Sequence, residues 1–160
     1  MVVAPASWRD ACFSLPATRA LADTRKLALL CSEVQAPLWR AADCGEVLVH
    51  DGARGGIPCG MLAWERVLLW EDGPVAKACA KAAIPHRTGL PSRGLEKRLT
   101  HPLKRTVRPG PPVHQVRRFL ETAALLGTAP FESHWFEPLE APKDAGATLI
   151  APDSDFGPHF

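Results

Sequence analysis

Short apolar runs rich in Val, Leu and Ile alternate along the chain with helix-length segments of mixed polarity, the pattern of βαβ units that build a parallel sheet. The runs predict strands at Val2 to Ala4, Lys26 to Cys31, Glu46 to His50, Arg66 to Trp70, His86 to Thr88 and Thr148 to Ala151. Between them the pattern predicts helices at Asp10 to Asp23, Glu33 to Ala42, Pro74 to Ala83 and Val113 to Leu126. In the first helix Ala11, Leu15, Thr18 and Leu21 form a nearly one-sided stripe, and Asp10 stands where a helix begins. Pro74 suits a first helical turn, where a missing N–H costs little, and Gly127 after Leu126 is a natural stop. The expected fold class is α/β with a mainly parallel sheet.

Two stretches interrupt the alternation. Asp51 to Gly60 is rich in glycine where a crossover helix is expected, so that connection reads as trimmed. Leu90 to Pro112 combines Pro, Gly and basic residues in a loop of a length that compact domains reserve for function or disorder. A chain of 160 residues fits one domain with a real core, read here as residues 1–145 followed by a connector at 146–160. The five cysteines lack a C-x-x-C pair, which argues against a disulfide framework or zinc site, predicts a reducing cytoplasmic setting and leaves them as small buried hydrophobes. Apolar runs are too short and too often charged to span a membrane, so any membrane contact is expected from the surface.

In an open parallel sheet ligands bind beyond the carboxyl ends of the strands. That rule selects Pro5 to Asp10 after the first strand, Glu71-Asp72-Gly73 after the fourth, and the basic loop after the fifth. Asp10 has two readings: a helix N-cap, the commoner use of Asp at such a corner, or a base that takes a proton from a hydroxyl nucleophile. Glu71 and Asp72 either orient sugar hydroxyls or sit near the positive end of the next helix. From His86 to Arg108 seven Lys/Arg residues, among them Arg87, Arg93, Lys97 and Arg98, face a single acid, Glu96. Such a cluster is a solvated loop or an anion site, with Arg forks matched to phosphate. Trp8 lies beside Asp10, whereas the other four tryptophans read as packing and His86, His101 and His114 as surface or loop histidines. Without G-x-G-x-x-G, G-x-x-x-x-G-K-[ST] or G-x-S-x-G at a strand end, dinucleotide, P-loop and α/β-hydrolase chemistries are disfavoured. A nucleic-acid partner is not expected, because the basic loop lacks interleaved aromatics.

The segment Pro5-Ala6-Ser7-Trp8-Arg9-Asp10-Ala11-Cys12-Phe13-Ser14-Leu15-Pro16-Ala17 resembles the opening P-x-W-x-G-D-x-x-x-[SA]-L-P-A of the ADP-heptose:lipopolysaccharide heptosyltransferases. Ala83-Ile84-Pro85-His86-Arg87-Thr88-Gly89 resembles that family's A-G-I-P-x-R-x-G, and Ala151 to Pro158 is similar to the turn that opens its second domain. The resemblance implies the N-terminal half of a GT-B glycosyltransferase: a Rossmann-like three-layer α/β/α domain that holds a phosphorylated glycolipid acceptor at the cytoplasmic face of the inner membrane. The missing second half would bind the ADP-heptose donor. The reaction inverts the anomeric centre with no metal or other cofactor. Asp10 would be the catalytic base, with Ser7, Trp8, Glu71, Asp72, Arg87, Arg93, Lys97 and Arg98 binding substrate. Three departures bear on this: Arg9 replaces the family's glycine, Glu71-Asp72-Gly73 replaces an Asn-Ser-type segment, and the third crossover is short. With the sequence ending at Phe160, the chain alone is expected not to transfer sugar. A non-catalytic phosphoglycan-binding module on the same fold is the alternative.

Overall fold

The computed structural model describes residues 1–50, 64–104 and 114–139. In chain order these residues form β1 (Val2–Val3), α1 (Trp8–Thr24), β2 (Ala28–Ser32), α2 (Ala36–Ala42), β3 (Glu46–His50), β4 (Arg66–Leu68), α3 (Pro74–Lys81), β5 (His86–Gly89), β6 (His101–Pro102) and α4 (Gln115–Leu125). Single 3-10 turns stand at Glu33–Gln35, Leu95–Lys97 and Ser133–Phe136. The strands make one sheet of order β3-β2-β1-β4-β5-β6. Every pairing is parallel, so the expected Rossmann-like α/β arrangement is present with no antiparallel strand among the described residues.

Period-2 alternation along the strands sends side chains to two separate cores. Val2, Ala4, Leu29, Cys31, Leu68 and Trp70 join Ala17 and Leu21 of α1, Trp39 of α2 and Phe119 of α4 on one face. Val3, Leu30, Val67 and Leu69 meet Ala76 and Cys79 of α3 and Leu95 on the other. Helices therefore cover both faces, and the central strands are apolar on each side, which explains why β2 reads as a continuous apolar run. Burial of Phe119 and Leu120 fastens α4 to the sheet, contributing roughly 3 to 6 kcal/mol together. The Trp70 and Phe119 rings meet edge to face at 5.1 Å.

Element ends differ from the sequence reading for local reasons. The predicted Glu33 to Ala42 helix splits into a 3-10 turn and α2, because Pro37 has no N–H to donate and fits only the first turn. α3 stops at Lys81, before Ala83, whose φ of 55° is left-handed. α4 starts at Gln115, with His114 Nδ1 accepting from Val116 N. It ends on Gly127, at φ 86°, through the paired bonds Gly127 N to Ala124 O and Thr128 N to Ala123 O. The predicted strand at Thr148 to Ala151, the glycine-rich loop at 51–60 and the proposed domain boundary at 145 lie outside the described residues. Within the stretch read as one basic loop, the structure instead has the buried Leu95 turn and β6, whose Pro102 is tolerated on an edge strand.

Candidate functional site

Strand order reverses between β1 and β4, so the connections after these two strands diverge and leave a crevice at their carboxyl ends. The β1–α1 corner forms one wall. Ser7, in extended conformation, caps α1: its Oγ accepts from Asp10 N at 3.0 Å, and its carbonyl accepts from Ala11 N. The helix thus begins at Trp8, not Asp10, and Asp10 is its third residue rather than its cap. The Asp10 side chain is 14% exposed, with Arg9 Nε 3.8 Å from Oδ1. That buried oxygen has no hydrogen bond. Trp8 projects from the same turn and is half exposed.

Two side chains from the segments that follow β2 and β4 hold this corner. Gln35, 3% exposed, donates from Nε2 to Pro5 O at 2.9 Å and Ala6 O at 3.2 Å. Glu71, just past β4, accepts from Ala6 N at 2.5 Å and so ties the two diverging loops together. Behind them lies a cavity of about 380 Å³ with an apolar floor including Val3 and Ala4 and a polar rim of Ser32, Gln35, His50, Glu71 and Asp72. Asp72 pairs with Arg98 at 3.6 Å, and it lies close to the backbone of Gly94, where a Cβ would stand 2.6 Å from Asp72 Oδ2.

A second cleft, of about 670 Å³, opens beyond the carboxyl ends of β5 and β6. Lys104 and Arg118 bring two cations to it, Ser92 brings a hydroxyl, and no acid lines it among the described residues. Arg118 Nη2 also donates to Trp70 O at 2.8 Å, which braces α4 against the end of β4.

The candidate residues separate into different roles. Glu71 and Asp72 line the first cavity, with Arg98 beside Asp72. Ser7 is a helix cap. Arg87 is a strut: Nε donates to Arg98 O and Nη1 to Ile84 O, each at 2.5 Å. Arg93 and Lys97 are exposed and line neither cavity. Asp10 also lines neither. Sequence reasoning missed Ser32, Gln35, His50 and Arg118. The first three follow from the same carboxyl-end rule applied to β2 and β3, whereas Arg118 reaches its cleft only through the packing of α4.

The cysteines are not uniformly interior. Cys31, Cys44 and Cys79 are buried, and burial pushes each thiol up to about 11. Cys12, expected to be buried, is exposed on α1. Among the described residues no three His, Cys, Asp or Glu side chains cluster into one metal-binding group, and no helix is long and apolar enough to cross a membrane. Compared with protein-family models, curated proteins and solved structures, the chain has no match.

Proposed function

We propose that this chain is the acceptor-side domain of an inverting glycosyltransferase of heptosyltransferase type, acting on a phosphorylated glycan carried by a lipid. In such a reaction the acceptor hydroxyl oxygen attacks the anomeric carbon, the bond to the ADP leaving group breaks, and the hydroxyl proton passes to a carboxylate. Asp10 is the proposed base. The observation that carries this is its first-turn carboxylate: Ser7 performs the capping, and Asp10 Oδ1 has no hydrogen bond. That oxygen is buried beside Arg9, so the acceptor hydroxyl has to enter the β1–α1 corner to come within the about 2.6 to 3.2 Å that proton removal by a general base needs. The polar rim with Glu71 and Asp72 suits sugar hydroxyls, and the Lys104 and Arg118 cleft suits phosphate oxygens. Donor binding belongs to a second, nucleotide-sugar half, and membrane contact is peripheral, through the phosphorylated lipid.

One observation favours the binding-only alternative: Asp10 lines neither cavity. The two readings separate by experiment. Calorimetric titration with a phosphorylated inner-core oligosaccharide should give saturable binding under both, while ADP-heptose alone should bind weakly or not at all. In a form of the protein that also carries a donor-binding half, Asp10→Asn should lower kcat by about a hundredfold or more and leave acceptor affinity unchanged. Retained turnover in that variant removes Asp10 as base. Absence of glycan binding removes both readings.

A further inference from the structure

Far from the crevice, at the starting ends of the last two strands, His86 opens β5 and His101 opens β6. The strands pair with Thr88 opposite His101, and the two imidazoles meet at the edge of the sheet. His86 Nδ1 and His101 Nε2 are 3.3 Å apart, and the rings are tilted by 48° rather than stacked.

The neighbouring Thr100 hydroxyl determines which nitrogen of His101 carries the proton. It has one hydrogen and two lone pairs. It donates to Pro85 O at 2.7 Å, because a carbonyl oxygen can only accept. It accepts from Arg87 N at 2.8 Å, because a backbone N–H can only donate. Its third partner, His101 Nδ1 at 3.0 Å, must then be a donor. Neutral His101 is therefore the Nδ1–H tautomer, and its Nε2 presents a lone pair to His86 Nδ1.

Two imidazole nitrogens in this position match a metal edge. Zinc–nitrogen bonds of roughly 2.0 to 2.1 Å at the tetrahedral angle place the two ligating nitrogens about 3.3 to 3.4 Å apart, whereas right-angled geometries at similar bond lengths require about 2.9 Å. The observed 3.3 Å, which in the metal-free protein is a hydrogen bond between the two rings, fits the tetrahedral spacing and not the right-angled one. The Thr100 bond also supplies the second-shell support that orients a ligating imidazole and fixes its tautomer.

We infer that His86 Nδ1 and His101 Nε2, supported by Thr100, form a two-histidine site for zinc or another tetrahedral divalent metal. No third His, Cys, Asp or Glu joins them among the described residues, so the remaining coordination positions fall to water or an exchangeable ligand. Binding requires His86 to take the Nε2–H tautomer, which frees Nδ1. Neither histidine lines the two cavities assigned to the acceptor, and the inference does not rest on that function.

The test uses the tag-free chain with Cys12→Ser, since the exposed Cys12 thiol is itself a soft ligand. Titration at neutral pH with zinc, followed by calorimetry, and with cobalt, followed by its tetrahedral absorption bands, should show one equivalent bound. His86→Ala and His101→Ala should each weaken binding at least about tenfold, and Thr100→Val by roughly tenfold. His134→Ala, an exposed histidine elsewhere, should change nothing. Imidazole nitrogen spectra provide a readout that needs no substitution: metal-free His101 should be the Nδ1–H tautomer, and zinc should shift His86 Nδ1 and His101 Nε2 together. Unchanged affinity in both histidine variants, or an Nε2–H tautomer for metal-free His101, overturns the assignment.

Discussion

Gln35→Glu tests how the crevice is built. Pro5 O and Ala6 O can only accept, so the Gln35 amide nitrogen must be the atom facing them. Glutamate has the same shape, but as a carboxylate it has no proton to donate. The substitution deletes two hydrogen bonds worth about 0.5 to 1.5 kcal/mol each and turns lone pairs towards two carbonyl oxygens at a position 3% exposed. Desolvation adds to the loss, so the expected cost is about 3 kcal/mol at pH 7. For a chain of 160 residues this lowers Tm by roughly 6 to 12 °C. Burial among acceptors raises the folded-state pKa of the new carboxyl above its unfolded value. The ionisation part of the penalty is then absent at low pH, where the acid is protonated in both states, and grows as pH rises through the unfolded pKa of about 4.3. Below that pH the protonated acid can donate one hydrogen bond, and the gap to wild type should close to about 1 kcal/mol. Urea denaturation of both proteins at pH 4 and pH 7 measures this. A variant within about 0.5 kcal/mol of wild type at pH 7, or a gap that does not depend on pH, would refute the assigned role of Gln35.

Other perturbations follow from the same geometry. Ser7→Ala removes the α1 cap and should cost about 1 kcal/mol in chemical denaturation; no loss would mean that Asp10 N has another acceptor. Gly94→Ala forces a side chain into a residue at φ 89° and against Asp72, so it should destabilise by roughly 1 to 3 kcal/mol, and a neutral effect would show that the Asp72 corner is freely yielding. The buried thiol of Cys79 is raised from 9.0 to about 11, so its contribution to stability is complete below pH 9 and is lost as pH climbs to 11. Cys79→Ala should start less stable than wild type at pH 7, and the difference should narrow by roughly 2 to 3 kcal/mol over that window. Parallel alkaline unfolding curves would exclude this titration.

The sequence by itself determined the architecture. Apolar runs such as Leu27 to Cys31 are buried on both sides, so their pattern carries the parallel sheet and its alternation with helices. Proline and glycine marked the start of α3 and the end of α4, because their backbone constraints are local. The fragment read as one basic loop hid β6, since a two-residue edge strand containing proline carries no periodic signal.

The site depended on distance in space. The carboxyl-end rule pointed to Glu71 and Asp72, which line the crevice, but composition could not show that Glu71 spends one oxygen on Ala6 N. Arg87 and Arg98 looked alike in sequence, yet one is a strut between two carbonyls and the other faces Asp72. His86 and His101, fifteen residues apart, meet only because β5 and β6 pair. Periodicity reports which way a side chain faces, and only tertiary packing decides which partner it finds there.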